Sequence, residues 1–200
     1  MTKRLIFTLI ALLFSVQFSH AEENWISLFN GKNLDGWTPK FVGYEAGVNY
    51  KNTFRVSNGN LSVSYDDYDV FDNNFGHLFY KDKFSNYLLK LEYRMRGKQA
   101  KGGPTWGDRN NGIMVHSQSP ESMEKDQFFP RSIEVQILNG NDEIETPNGN
   151  VCTPGTHIVM NGKLIRQHCI NSNSATNKGE DWVKVEVEVR GNKLIRHKIN

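Results

Sequence analysis

Apolar and polar residues alternate at every second position along much of this chain. Val183, Val185, Val187 and Val189 interleave with Lys184, Glu186, Glu188 and Arg190, and Tyr87, Leu89, Leu91, Tyr93 and Met95 interleave with Leu88, Lys90, Glu92, Arg94 and Arg96. A period of two describes a strand with one buried and one wet face. β-Branched residues at every inward position suit a pleated surface better than a helix. Shorter strands are expected over residues 26–29, 53–57, 60–64 and 77–80, with Asn58-Gly59 and Gly191-Asn192 as turns. Many short strands, glycine-rich turns and no amphipathic helical period predict an all-β antiparallel sandwich or jelly roll.

Two further alternating segments carry polar chemistry. In residues 110–116, Ile113 and Val115 are expected to enter the core while Asn110, Gly112, Met114 and His116 look outward; in residues 132–138, Ile133, Val135 and Ile137 point in and Glu134, Gln136 and Leu138 point out. An acid, an amide and an imidazole are therefore offered from one sheet surface. Residues 97–109, with Gly102-Gly103-Pro104 and Trp106, and residues 117–131 read as long loops beside these strands. Loops of that length usually bind something or lack order, and these two are placed to wall a pocket.

The amino terminus changes the setting. Lys3 and Arg4 precede an apolar run ending at Phe18, then Ser19-His20-Ala21, a Sec-type signal peptide over residues 1–21 with cleavage after Ala21. The run is shorter than the about 20 residues of a membrane span, and no cysteine follows it to take a lipid. A periplasmic or secreted protein is expected, with residues 22–200 forming one domain. The net charge of +2 is spread over interleaved acids and bases, so nucleic acid is not an expected partner. Cys152 and Cys169 are the only cysteines; in an exported chain they are expected to pair rather than bind metal. Such a bond closes a loop of about 16 residues, worth roughly 3 kcal/mol on the chain-entropy account.

Several motifs in order resemble the 3-keto-disaccharide hydrolase family. They are the opening Trp25-Ile26-Ser27-Leu28-Phe29-Asn30-Gly31-Lys32-Asn33-Leu34-Asp35-Gly36-Trp37, the strand Asn110-Asn111-Gly112-Ile113, the strand Glu134-Val135-Gln136-Ile137-Leu138, the run Val151-Cys152-Thr153-Pro154-Gly155-Thr156-His157, and the strand from Trp182 to Gly191. The chain departs from the family pattern at Asn111, His116 and Asn139, where serine, arginine and aspartate are usual. It also ends at Ile199-Asn200, where the family continues through a turn into further strands. The resemblance implies a concanavalin A-like jelly roll, leaving open one without its C-terminal strand or strands. It implies an exported enzyme that cleaves disaccharides or glycosides already oxidised at sugar carbon 3, by hydrolysis or by elimination and hydration. A ketone at carbon 3 acidifies the carbon 2 proton, so the chemistry needs a base, a stabiliser for the developing oxyanion and an acid for the leaving oxygen.

Against that requirement, Glu134 is the candidate general base or metal ligand, and otherwise a sheet carboxylate solvated or paired with Arg94 or Arg96. His116 is a candidate proton shuttle. Gln136, Asn110 and Arg109 are candidates for binding sugar hydroxyls, and Trp106 for stacking on a sugar ring; each is otherwise an ordinary polar strand or loop residue. Trp25 and Trp37 read as packing residues. His157, Lys163 and His168 lie in or beside the expected disulfide loop. Asp66, Asp67, Asp69 and Asp72 could offer oxygen ligands to calcium, but without the glycine and glutamate of an EF-hand they read as a solvated turn. The sequence singles out no cofactor, and a divalent metal is compatible with the chemistry. Ordinary glycoside hydrolysis calls for two carboxylates, whereas the second outward position here is Gln136. A non-catalytic carbohydrate-binding module of the same fold is the alternative, since jelly rolls serve both uses.

Overall fold

The computed structural model describes residues 24–140 and 145–200; the expected signal peptide lies outside them. The described residues form thirteen strands: β1 (Trp37–Phe41), β2 (Phe54–Ser57), β3 (Asn60–Val63), β4 (Gly76–Tyr80), β5 (Asn86–Tyr93), β6 (Asn110–Val115), β7 (Ile133–Leu138), β8 (Asn150–Cys152), β9 (Ile158–Met160), β10 (Lys163–Ile165), β11 (Cys169–Ile170), β12 (Val183–Arg190) and β13 (Leu194–Ile199). All described pairings are antiparallel. One sheet has the order β11-β8-β7-β6 and faces a second of order β13-β12-β5; β1-β4, β2-β3 and β9-β10 form two-stranded ribbons. The all-β sandwich expected from the alternation is the architecture found.

The core lies between the two larger sheets. Val115, Val135 and Ile137 from one meet Val185, Val187 and Val189 from the other, with Tyr87, Leu89, Leu91, Tyr93 and Ile113 packed around them. Val187 and Val135 are fully buried. Burial of a valine contributes roughly 1.5–3 kcal/mol, and a one-residue slip would turn every one of these side chains to water. The aliphatic set thus fixes register, and register fixes which side chains stand on the opposite face.

The turns form as read: Asn58 and Gly59 both have positive φ, 50° and 74°, the pair of left-handed residues a tight hairpin uses, and they join β2 to β3. Gly191 likewise bends β12 into β13. The expected strand over residues 26–29 does not form. Its backbone enters no ladder and leads instead into a turn in which Asn30 Oδ1 accepts from the amides of Lys32 and Asn33. The first strand is β1, whose Pro39 obscures its strand character, because proline removes a ladder donor and is confined to sheet margins. Trp37, expected to pack, does so: Nε1 donates to the Leu28 carbonyl at 2.9 Å and the ring meets Tyr80 edge-on.

Val187→Ala is expected to lower stability by about 2 kcal/mol while leaving the sheet surface opposite the core intact. Urea denaturation checks the first part and an unchanged far-ultraviolet circular dichroism spectrum the second.

Candidate active site

With Val135 and Ile137 fixed inward, Glu134 and Gln136 must stand on the other face of β7. Register then supplies their neighbours. Met114 on β6 and Cys152 on β8 lie opposite Glu134, and Gly112 and Asn150 lie opposite Gln136. Cys152 in turn faces Cys169 on β11, and the two are joined as a disulfide. The Glu134 side chain leans across the ladder over Gly112. A Cβ added at Gly112 would sit 2.2 Å from Glu134 Oε1 and 2.6 Å from its Cγ, closer than real atoms approach, so glycine's missing side chain is the seat of the carboxyl group.

That seat is poor in polar partners. A thioether and a disulfide flank Glu134 across the ladder, and among the described residues no hydrogen bond or ion pair holds its carboxylate. Desolvation disfavours the charged form, and burial pushes the Glu134 carboxyl up to about 7. Arg94 and Arg96, the cations expected beside it, are engaged elsewhere: Arg94 lies over the Trp182 ring and Arg96 pairs with Glu180.

Beside the acid runs a chain of amides. Asn150 Nδ2 donates to Gln136 Oε1 at 3.1 Å and to the Pro147 carbonyl, while its Oδ1 accepts from the Ser172 amide. Gln136 Nε2 donates to Asn110 Oδ1 at 3.5 Å, and Asn110 Nδ2 donates to the Trp106 carbonyl at 2.9 Å. Each amide nitrogen carries two hydrogens. Asn150 has spent both, so its role is to orient Gln136, whereas Gln136 and Asn110 each keep one for a ligand. Trp106 is 57% exposed and lies nearly parallel to Phe75, 7° between planes and 5.7 Å between centroids. Phe128 and Phe129 close on the same Phe75 ring. Phe75, Trp106 and Phe129 form one wall of a groove also bordered by His116, Glu134, Gln136, Pro154 and His168, with Phe128 behind them.

The loop that brings Phe128 and Phe129 is tied down from β1 and β4. Lys40, 2% exposed, donates Nζ to the carbonyls of Phe41 and Lys125. His77 Nε2 lies 2.7 Å from the Phe128 carbonyl. A carbonyl can only accept, so Nε2 carries the hydrogen; burial holds the His77 ring below the ordinary histidine value, and it is neutral at pH 7.

The residues singled out by sequence fall into two groups. Glu134, Gln136, Asn110, Trp106 and His116 share the groove. His116 is exposed just past the end of β6, where its φ of 50° turns the chain out of the strand. Arg109 does not border the groove; Nη1 donates to the Gly179 carbonyl at 3.0 Å. The acidic loop is met by cations, Arg55 bonding Asp66 and Asp67 and Lys51 pairing with Asp69. Among the described residues no three His, Cys, Asp or Glu side chains converge as a metal cage. Sequence reasoning missed Asn150, Phe75 and the seat at Gly112. Gly112 and Asn150 could have been found by writing the strand register across three strands; Phe75 carries no pattern that singles it out.

A family model described as the 3-keto-alpha-glucoside-1,2-lyase-like domain matches residues 24–200, and the chain belongs to that family. No curated protein and no solved structure matches it. The resemblance read from the motifs therefore holds, and the family's name implies an enzyme of the lyase or hydrolase type acting on a keto-sugar.

Gly112→Ala is expected to displace the Glu134 side chain and to cut activity at least tenfold with the fold retained. Circular dichroism and turnover together check it, and unchanged turnover would show that the carboxyl group does not need this seat.

Proposed function

We propose that this member of the 3-keto-alpha-glucoside-1,2-lyase-like family is an exported enzyme that cleaves the glycosidic bond of 3-keto-disaccharides or 3-keto-glycosides, with Glu134 as general base. The observation that carries the reading is an unpaired carboxyl group whose proton affinity is raised to about 7 on a rigid strand inside an open groove. A general base is most effective when its pKa lies near the working pH, and positions on strands hold geometry better than loops do.

The reaction follows from the substrate. Glu134 takes the proton from carbon 2, and the electron pair passes to the carbon 3 ketone as an enolate. The enolate then expels the oxygen on carbon 1, breaking the glycosidic bond and leaving a carbon 1–carbon 2 double bond conjugated to the ketone. Water adds its hydroxyl to carbon 1 and a proton returns to carbon 2, so the net change is hydrolysis; release before hydration makes it a lyase reaction. The remaining N–H groups of Gln136 and Asn110 donate to sugar hydroxyls or to the enolate oxygen. His116, exposed at the groove, serves the leaving oxygen as proton donor. Trp106 offers its face to a sugar ring. The Cys152–Cys169 bond is compatible with export, and no helix among the described residues is long and apolar enough to cross a membrane.

The test is sugar release from 3-keto-trehalose and from trehalose, with and without chelator. The expected result is release from the keto-sugar alone, with kcat/KM rising as pH passes through about 7, and a fall of at least a hundredfold in Glu134→Gln while substrate still binds. Release from trehalose alone overturns keto-dependence. Binding without turnover in the parent protein, changed only modestly by Glu134→Gln, makes the chain a carbohydrate-binding module.

A further inference from the structure

At the far side of the disulfide a second recess, of about 630 Å3, is lined by Thr153, Gly155, Thr156, His157, Arg166 and His168. Its size falls within the range of small-molecule sites. His168 borders both this recess and the main groove, so the two are neighbours across its side chain. The lining holds one guanidinium and two imidazoles and no carboxylate. A fourth basic group stands at its edge, because the stem of Arg131 lies against Gly155, where an added Cβ would be 2.6 Å from Arg131 Cγ.

The arginines of the molecule separate sharply here. Of the eight among the described residues, Arg55, Arg96, Arg190 and Arg196 are ion-paired, Arg94 lies on the Trp182 ring, and Arg109 donates to the Gly179 carbonyl. Arg131 and Arg166 alone have side chains without a hydrogen bond, ion pair or ring contact, and both stand at this recess. His157 is likewise exposed and without a side-chain partner. A guanidinium presents a planar fork of donors suited to bidentate capture of an oxyanion. Two such forks with imidazoles beside them, and no acid to oppose them, form a cradle for a negatively charged group.

We propose that this recess is an anion subsite, and that the glycoside cleaved in the groove carries an oxyanion, the carboxylate of a uronic acid or a sulfate or phosphate ester, which Arg166 and Arg131 hold with His157 and His168. The inference deepens the reading of the groove as a keto-glycoside site and rests on it. Two strand spacings, from β7 across β8 to β11, roughly 10 Å, separate Glu134 from Cys169, and the recess begins at the adjacent residue, His168. That lies beyond the ring whose bond is cut, so the anion sits on the other unit of the substrate. Sugar units bearing the charge are thereby selected, and neutral disaccharides lose this contact.

The test separates the subsite from the chemistry. The whole chain carrying Glu134→Gln, which removes the base and leaves the recess untouched, is titrated with methyl glucuronoside, glucose 6-sulfate, glucose 6-phosphate and neutral methyl glucoside. The ring resonances of His157 and His168 are followed by NMR. The expected result is saturable shifts with at least one charged sugar and at least tenfold weaker binding of the neutral one. Affinity falls with added salt and drops at least tenfold in Arg166→Gln and in Arg131→Gln; the strongest of the three charged ligands identifies the anion. Equal binding of charged and neutral sugars, or affinity unaltered in both arginine variants, overturns the proposal. Because this readout needs no turnover, a parent protein that binds the charged sugar yet fails to cleave any keto-glycoside contradicts the groove reading and leaves the anion subsite standing.

Discussion

Setting a carboxyl group between a thioether and a disulfide, with no cation or amide to stabilise its ionised form, raises the free energy of the anion relative to the acid. The fold of this chain is what keeps Glu134 in that position. Val135 and Ile137 on the same strand are locked into the core against Val185, Val187 and Val189, so the carboxyl group cannot turn inward without dismantling the sandwich. Gly112 leaves room beneath it. The Cys152–Cys169 bond, one strand away, secures the short strands β8 and β11, which make few ladder bonds of their own. An acid that would ionise in open water well below neutrality is thereby kept ready to exchange a proton near pH 7.

Around that group the molecule divides its labour by element. Strands set the distances: Glu134, Gln136, Asn110 and Asn150 stand on adjacent strands of one sheet, and Asn150, with both amide hydrogens spent inside the protein, fixes the orientation of Gln136. Loops set the walls. The aromatic group of Phe75, Trp106, Phe128 and Phe129 depends on the buried ammonium of Lys40 and the neutral ring of His77, each bonding a carbonyl of the loop after β6. A buried lysine with two carbonyl partners is costly unless those bonds form, so the loop and the β1-β4 ribbon are ordered together.

The sequence made the sandwich legible because its longest strands, β5 and β12, are half-buried and alternate strictly. The same period identified the face that carries Glu134 and Gln136. It failed where periodicity is not the controlling term. Residues 26–29 alternate, yet they form a loop, because the Leu28 carbonyl is taken by the indole of Trp37 and the Phe29 carbonyl by the Ser27 hydroxyl. Strand β1 contains a proline, and strands β8 to β11 are too short to show a pattern. Arg109 has the right chemistry and the right position in the chain, but a left-handed backbone at that residue and the Gly179 carbonyl direct it away from the groove. Asn150 and the seat at Gly112 emerge only when three strands are placed in register, which is tertiary information.

The central claim is that the Glu134 carboxyl group titrates near neutrality because its surroundings withhold partners from the anion. Its side-chain carboxyl carbon, labelled with 13C and assigned by loss of the resonance in Glu134→Gln, can be followed by NMR across the pH range in the ligand-free protein. The account predicts a midpoint at about 7. A midpoint at the ordinary glutamate value of roughly 4.3 would contradict it.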